Sequence, residues 1–133
     1  MIRGRVDARL DATIAVALLV DGRQHVIEAV IDTGFNGFLT LTSEVIRNLK
    51  LPFLSYGHAR LADGTEQLLA TYSATVVWDR AKREIEVLRT AAHPLVGMSL
   101  LQGYQLDIHV IPGGRLTIKR LTPTRPRKKS KRR

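Results

Sequence analysis

The sequence predicts an all-β domain carrying one or two short helices. Three observations predict it. Apolar and β-branched residues come in runs of strand length; turn residues interrupt those runs at hairpin spacing; and only brief stretches, near Ser43 and Met98, carry helical signals.

Residues 5–10 and 13–20 read as the first strands. Asp21-Gly22 is a two-residue hairpin signal, because both residue types reach positive φ at low cost. Residues 24–31 return, with Val26 and Val30 among their apolar positions, and residues 38–41 form another short strand. Thr42 is placed to cap a helix over residues 43–49, with Glu44 near the positive end of its dipole. Pro52 is expected to stop that helix. Residues 56–61 and 66–72 flank a hairpin tip, Ala62-Asp63-Gly64-Thr65, and residues 74–78 and 84–90 flank a third, Asp79-Arg80-Ala81-Lys82. Leu95 and Val96 lead into Gly97, followed by a helical turn or two over residues 98–102. Residues 106–110 and 116–120 are late strands around Pro112-Gly113-Gly114. There is no internal repeat.

The chain has 133 residues, enough for one domain with a core of its own, and its 44% hydrophobic and 25% charged content are those of a soluble globular protein. It contains no cysteine, which excludes a disulfide framework, a thiolate nucleophile and a zinc–thiolate site. That absence fits a reducing, cytoplasmic setting. The apolar run 13–20 follows Arg3, Arg5 and Arg9, but Asp7 and Asp11 interrupt the basic part, and the run is too short to span a bilayer. A core strand is the better reading of it, and no membrane span is expected.

The net charge of +9 is unevenly placed. Arg125, Arg127, Lys128, Lys129, Lys131, Arg132 and Arg133 crowd the last eleven residues with no acid among them, so the rest of the chain carries about +2. The sequence therefore divides into a domain over residues 1–122 and a low-complexity basic tail over 123–133, expected to be disordered. Clustered cations favour nucleic acid or another polyanion through counterion release. No aromatic residue is interleaved for base stacking, and a plain solubilising extension has the same composition.

The most informative residue is Asp32, at the end of the apolar run Val30-Ile31 and followed by Thr33-Gly34-Phe35. A carboxylate withdrawn from water at that point costs several kcal/mol, on the order set by polar burial, unless its oxygens are bonded or its charge is shared. The bland reading is a turn aspartate, since Asp-Thr-Gly suits a turn. Against it stands a second element some sixty residues on, Leu95-Val96-Gly97 before a short helix.

Asp32-Thr33-Gly34 after two apolar residues, with that downstream glycine segment and an intervening hairpin, resembles the retropepsin-like aspartic proteases of the single-domain type. The resemblance covers residues 13–120. It implies a small, closed, barrel-like acid protease fold and a homodimer, since the chain carries one motif where two carboxylates are needed. It also implies aspartic endopeptidase activity through an Asp32/Asp32′ dyad, with no metal and no cofactor. Thr33 and Gly34 would hold the carboxylates. Phe35, Asn36, Val96 and Gly97, with Ala62, Asp63 and Gly64 of a covering hairpin, would line the bound peptide. The strands near the two chain ends would help form the dimer sheet.

Two residues depart from the pattern. Phe35 stands where the retroviral enzymes usually have Ala or Ser, and would crowd or reshape the primary subsite. Ser99 replaces a usual Asp or Asn, a weaker anchor. The rival reading is a non-catalytic dimeric β module that binds peptide or acts as an adaptor. The histidines (His25, His58, His93 and His109) lack metal-ligand spacing, and Trp78 and Phe38 read as core aromatics.

Overall fold

The computed structural model describes residues 1–60 and 63–122. In chain order the strands are β1 (Ile2–Val6), β2 (Ala12–Val20), β3 (Arg23–Ile31) and β4 (Leu39–Thr42), then helix α1 (Ser43–Asn48). There follow β5 (Phe53–Arg60), β6 (Glu66–Trp78), β7 (Ala81–Thr90), β8 (Leu95–Val96), helix α2 (Met98–Leu101), β9 (Tyr104–Ile108) and β10 (Arg115–Arg120). The described residues form one sheet, ordered β5-β6-β7-β4-β8-β3-β2-β1-β10-β9. A further pairing of β2 with β6, Ala17↔Val77 to Leu19↔Thr75, closes β2, β3, β8, β4, β7 and β6 into a ring. The expected all-β class and barrel-like closure are both present.

Side chains of Ile14, Val16, Leu18, Leu39, Leu41, Val76, Val87 and Val96 fill the ring and are essentially inaccessible to water. Each such side chain contributes about 1.5–3 kcal/mol by leaving water. Alternation along β2 buries Ile14, Val16 and Leu18, and along β7 it buries Ile85 and Val87 while turning Glu84 and Glu86 outward, the period-two pattern expected of half-buried strands. Trp78 is a core residue, 2% exposed, as expected.

Several elements differ from the sequence expectation, each for a local reason. The first strand is Ile2–Val6 and not residues 5–10. Asp7 turns the chain, its carboxylate accepting the N–H groups of Arg9 and Asp11 at 2.9 Å, and Leu10 takes a φ of 66°. The strands expected over 66–72 and 74–78 are one strand, because β6 pairs with β7 without a break from Thr71↔Leu88 to Trp78↔Ala81. The third hairpin turns on two residues, Asp79 and Arg80, both at positive φ, and β7 begins at Ala81. The later strand falls at Tyr104–Ile108 and not at 106–110.

Thr42 caps α1 as expected, its hydroxyl accepting the Val45 N–H at 3.3 Å. Pro52 is not what ends the helix. Lys50 adopts φ 52°, the Leu51 N–H reaches the Ile46 carbonyl and the Lys50 N–H the Arg47 carbonyl, a Schellman ending completed before the proline is reached.

β1 lies between β2 and β10, and β10 between β1 and β9. Both terminal strands expected at a dimer sheet thus have their edges engaged within the chain; the free edges of the described sheet belong to β5 and β9. No helix among the described residues is long and apolar enough to cross a membrane.

Candidate active site

The site is built where β8 threads between β3 and β4. It runs parallel to β3, Ile31 opposite Val96, and antiparallel to β4, Leu39 opposite Val96. The segment from β3 to β4, residues 32–38, must therefore loop around the end of β8. Thr40, 7% exposed, fixes the entry: its hydroxyl accepts the Leu95 N–H at 2.8 Å across 55 residues of sequence.

Hydrogen bonds stitch the loop to the segment after β8. The Asp32 N–H donates to the Val96 carbonyl at 2.9 Å. Beyond it, four consecutive carbonyls of the loop all accept from residues 97–99. Phe35 accepts the Met98 N–H at 2.8 Å, Gly37 the Ser99 N–H at 3.1 Å and Phe38 the Gly97 N–H at 3.0 Å, while Asn36 accepts the Ser99 hydroxyl. Ser99 thus anchors the loop through both its backbone and its side chain, a stronger part than its small size suggested.

Within the loop, the Gly34 N–H donates to Asp32 Oδ1 at 2.9 Å and the Phe35 N–H to the Asp32 carbonyl at 3.2 Å. Asp32 is half-buried, while Thr33, Gly34 and Asn36 are exposed. The carboxylate is therefore not sunk in the core of the single chain; it is aimed and bonded at the end of a buried strand, with one face open. Thr33 makes no side-chain hydrogen bond among the described residues, so its hydroxyl is available.

Gly97 is required by contact, not by conformation. Its φ is −102°, which any residue adopts, but a Cβ there would stand 2.2 Å from the Gly37 carbonyl oxygen and 2.5 Å from Phe35 Cδ2. Only glycine lets the two segments approach this closely. Val96 beside it is fully buried and belongs to the core. At the far side, Arg83 of β7 lies over the Phe38 ring at 5.9 Å and donates to the Leu100 carbonyl at 3.4 Å, supporting α2.

The expected site residues therefore divide. Asp32, Thr33, Gly34, Phe35, Asn36, Val96 and Gly97 come together in one knot. Asp63 and Gly64 lie at the tip of the β5–β6 hairpin. There Asp63 accepts both the hydroxyl (2.6 Å) and the N–H (2.9 Å) of Thr65, and Gly64 takes φ 86°. The Thr65 hydroxyl first, and its N–H second, hold the Asp63 carboxyl below its ordinary range. Among the described residues no hydrogen bond joins this tip to the Asp32 loop. Ala62 and the seven cations of the tail, Arg125 to Arg133, lie outside the described residues.

The Phe35 ring lies against Gly37 and Gly97, where a Cβ on the one would meet it at 2.4 Å and on the other at 2.5 Å. Gly37 and Thr40 are residues of the site that the sequence pattern did not single out. Two surface cavities lie elsewhere, one along β1–β3 beside Arg3 and Arg5 and one between the β2–β3 hairpin and the end of α1, and neither is lined by Asp32. Among the described residues no cluster of His, Asp and Glu could hold a metal ion.

No protein-family model matches the chain, and no curated protein matches it. Among solved structures, it is similar to a retropepsin-like aspartic protease from Rickettsia conorii. The TM-score is 0.57, the identity 18%, and the match covers 91% of each chain. The closed ring, the β8 strand threaded between β3 and β4, and the Asp32 loop tied to Gly97 together give this chain the retropepsin-like fold.

Proposed function

We propose that the chain is an aspartic endopeptidase whose active form is a homodimer, with Asp32 of each copy forming the catalytic pair. The observation that carries this reading is the Asp32 loop. A carboxylate bonded by the Gly34 N–H stands at a strand end, on a loop fastened to residues 96–99, with the adjacent Thr33 hydroxyl free. A fold of this kind supplies half of a site. Two carboxylates brought within hydrogen-bond distance cannot both ionise easily, so they share one proton. One then takes a proton from the attacking water while its protonated partner polarises the scissile carbonyl and later serves the leaving nitrogen. Their titration belongs to the pair.

In that assembly Thr33 would bond across the dyad, and the β5–β6 hairpin with Asp63 and Gly64 would cover a peptide bound as an added strand. Phe35, which would crowd the primary subsite, is what favours the non-catalytic reading; its ring also packs on Gly37 and Gly97. The basic segment 123–133 would add polyanion affinity without taking part in cleavage.

The test is hydrolysis of a mixed-peptide library by wild type and Asp32→Asn from about pH 3, where such a pair shares one proton, up to about pH 7. Light scattering on the same samples reads the oligomeric state. Cleavage by a dimer that disappears in Asp32→Asn supports the reading; equal cleavage by both proteins, or cleavage by a monomer, rejects it.

A further inference from the structure

Position 35 breaks the pattern of the motif, and its geometry explains how the chain tolerates a large ring there. A Cβ on Gly37 would lie 2.4 Å from Phe35 Cζ and 2.7 Å from Cε1, and a Cβ on Gly97 would lie 2.5 Å from Cδ2. The ring thus occupies the space that two missing side chains leave, on both halves of the knot. The backbone of the same residue joins those halves, its N–H bonded to the Asp32 carbonyl and its carbonyl to the Met98 N–H.

We propose that Phe35 is a positioning residue for Asp32: its ring, lodged on Gly37 and Gly97, clamps the aspartate loop to the 97–99 segment and fixes the direction of the carboxylate. This rests on the aspartic-protease reading above for its catalytic consequence, but not for the clamp itself. A ring forming a substrate subsite wall would change which peptides bind. A ring inside the loop changes how well the bound peptide reacts, because small errors in the placement of a reacting group cost rate and not affinity.

The clamp is tested without any substrate. The three atoms that would stand nearest a Cβ on Gly37 all belong to the Phe35 ring, and Gly37 does not take the left-handed conformation. Gly37→Ala therefore lowers the melting temperature of the wild type by about 5 °C, the scale of a modest overpacking. In a Phe35→Ala background the loss falls to less than half of that. Equal losses in the two backgrounds overturn the clamp. If Phe35→Ala does not fold, Phe35→Leu carries the same comparison, its smaller side chain relieving part of the loss.

The positioning role is tested on peptides cleaved by the wild type. Phe35→Ala lowers kcat by about tenfold or more with KM within about twofold, and Phe35→Leu restores much of the rate. An unchanged kcat with KM altered selectively for substrates of different side-chain size makes the ring a subsite wall and overturns the proposal. A wild type that cleaves nothing overturns the protease reading, and the positioning role with it, while the stability cycle still decides the clamp.

Discussion

Replacing Gly97 with alanine isolates the contact on which the site depends. The backbone there, φ −102° and ψ 177°, is ordinary extended conformation, so the added methyl meets no conformational penalty. It meets the Gly37 carbonyl oxygen at 2.2 Å, Phe35 Cδ2 at 2.5 Å and the Phe35 carbonyl oxygen at 2.8 Å. Two of the three obstacles are backbone atoms, which cannot swing aside as the end of a flexible side chain can. Relief requires the 35–38 segment to retreat from 97–99, which strains four hydrogen bonds. Overpacking of this kind costs about 1–3 kcal/mol, and weakening two of those bonds adds about 1–2 kcal/mol. The expected loss is therefore about 2–5 kcal/mol by those values, or roughly 10–20 °C in melting temperature for a domain of this size. Gly34→Ala is the internal control, since its Cβ comes no closer than 3.2 Å and only to Asp32 Oδ1. Urea denaturation of the three proteins gives the comparison. A Gly97→Ala variant within about 1 kcal/mol of wild type, at unchanged m-value, refutes the close-approach argument.

Three further outcomes are expected. Thr40→Val keeps the β-branched shape but leaves the Leu95 N–H without its buried acceptor, and should cost about 1–3 kcal/mol in denaturant titration; a neutral result removes Thr40 from the site's support. Lys50→Gly should stabilise the fold by up to about 1 kcal/mol, because a left-handed residue ends α1 and glycine adopts that conformation freely. A loss of stability there would mean that the lysine side chain matters more than its backbone. Asp79 receives the N-terminal ammonium at 2.9 Å, with Arg120 at 3.7 Å and the Tyr104 hydroxyl at 3.4 Å, and the ammonium bond chiefly holds its carboxyl below the ordinary range. A carboxyl with a lowered folded value contributes stability above the unfolded value of about 4 and loses it as pH falls through the folded one. The gap between wild type and Asp79→Asn should thus be constant from about pH 5 to about pH 7 and shrink below about pH 4; a gap that persists undiminished in acid contradicts the ion-pair account.

Much of this architecture was legible in the sequence because its cause is local. Alternating apolar positions in β2 and β7 mark strands, Asp21-Gly22 marks a hairpin, with φ of 50° and 75° to match, and Thr42 marks a helix start. The Asp32 loop and its partner at Gly97 were legible as a pair of motifs. What escaped depends on contacts between distant segments, or on residues that do not announce their conformation. Asp79-Arg80 forms a tight turn with neither residue a glycine, and Lys50 ends a helix where Pro52 seemed the obvious stop. Position 35 shows the first reason. Phe35 beside an aspartate suggests a crowded subsite, and nothing local says that Gly37 and Gly97, sixty residues apart, both make room for its ring. The terminal strands illustrate the same limit, since nothing in residues 2–6 says that β10 of the same chain will cover their edge.

The central claim is that one active site takes Asp32 from two copies. Titrating Asp32→Asn chains into a fixed amount of wild type, with time for subunit exchange, tests it most directly. If every productive site needs two wild-type copies, a ninefold excess of the variant lowers wild-type peptide cleavage to about a tenth, by the statistics of random pairing in a two-fold dimer. Cleavage that stays at the level of the wild type alone would contradict the shared dyad.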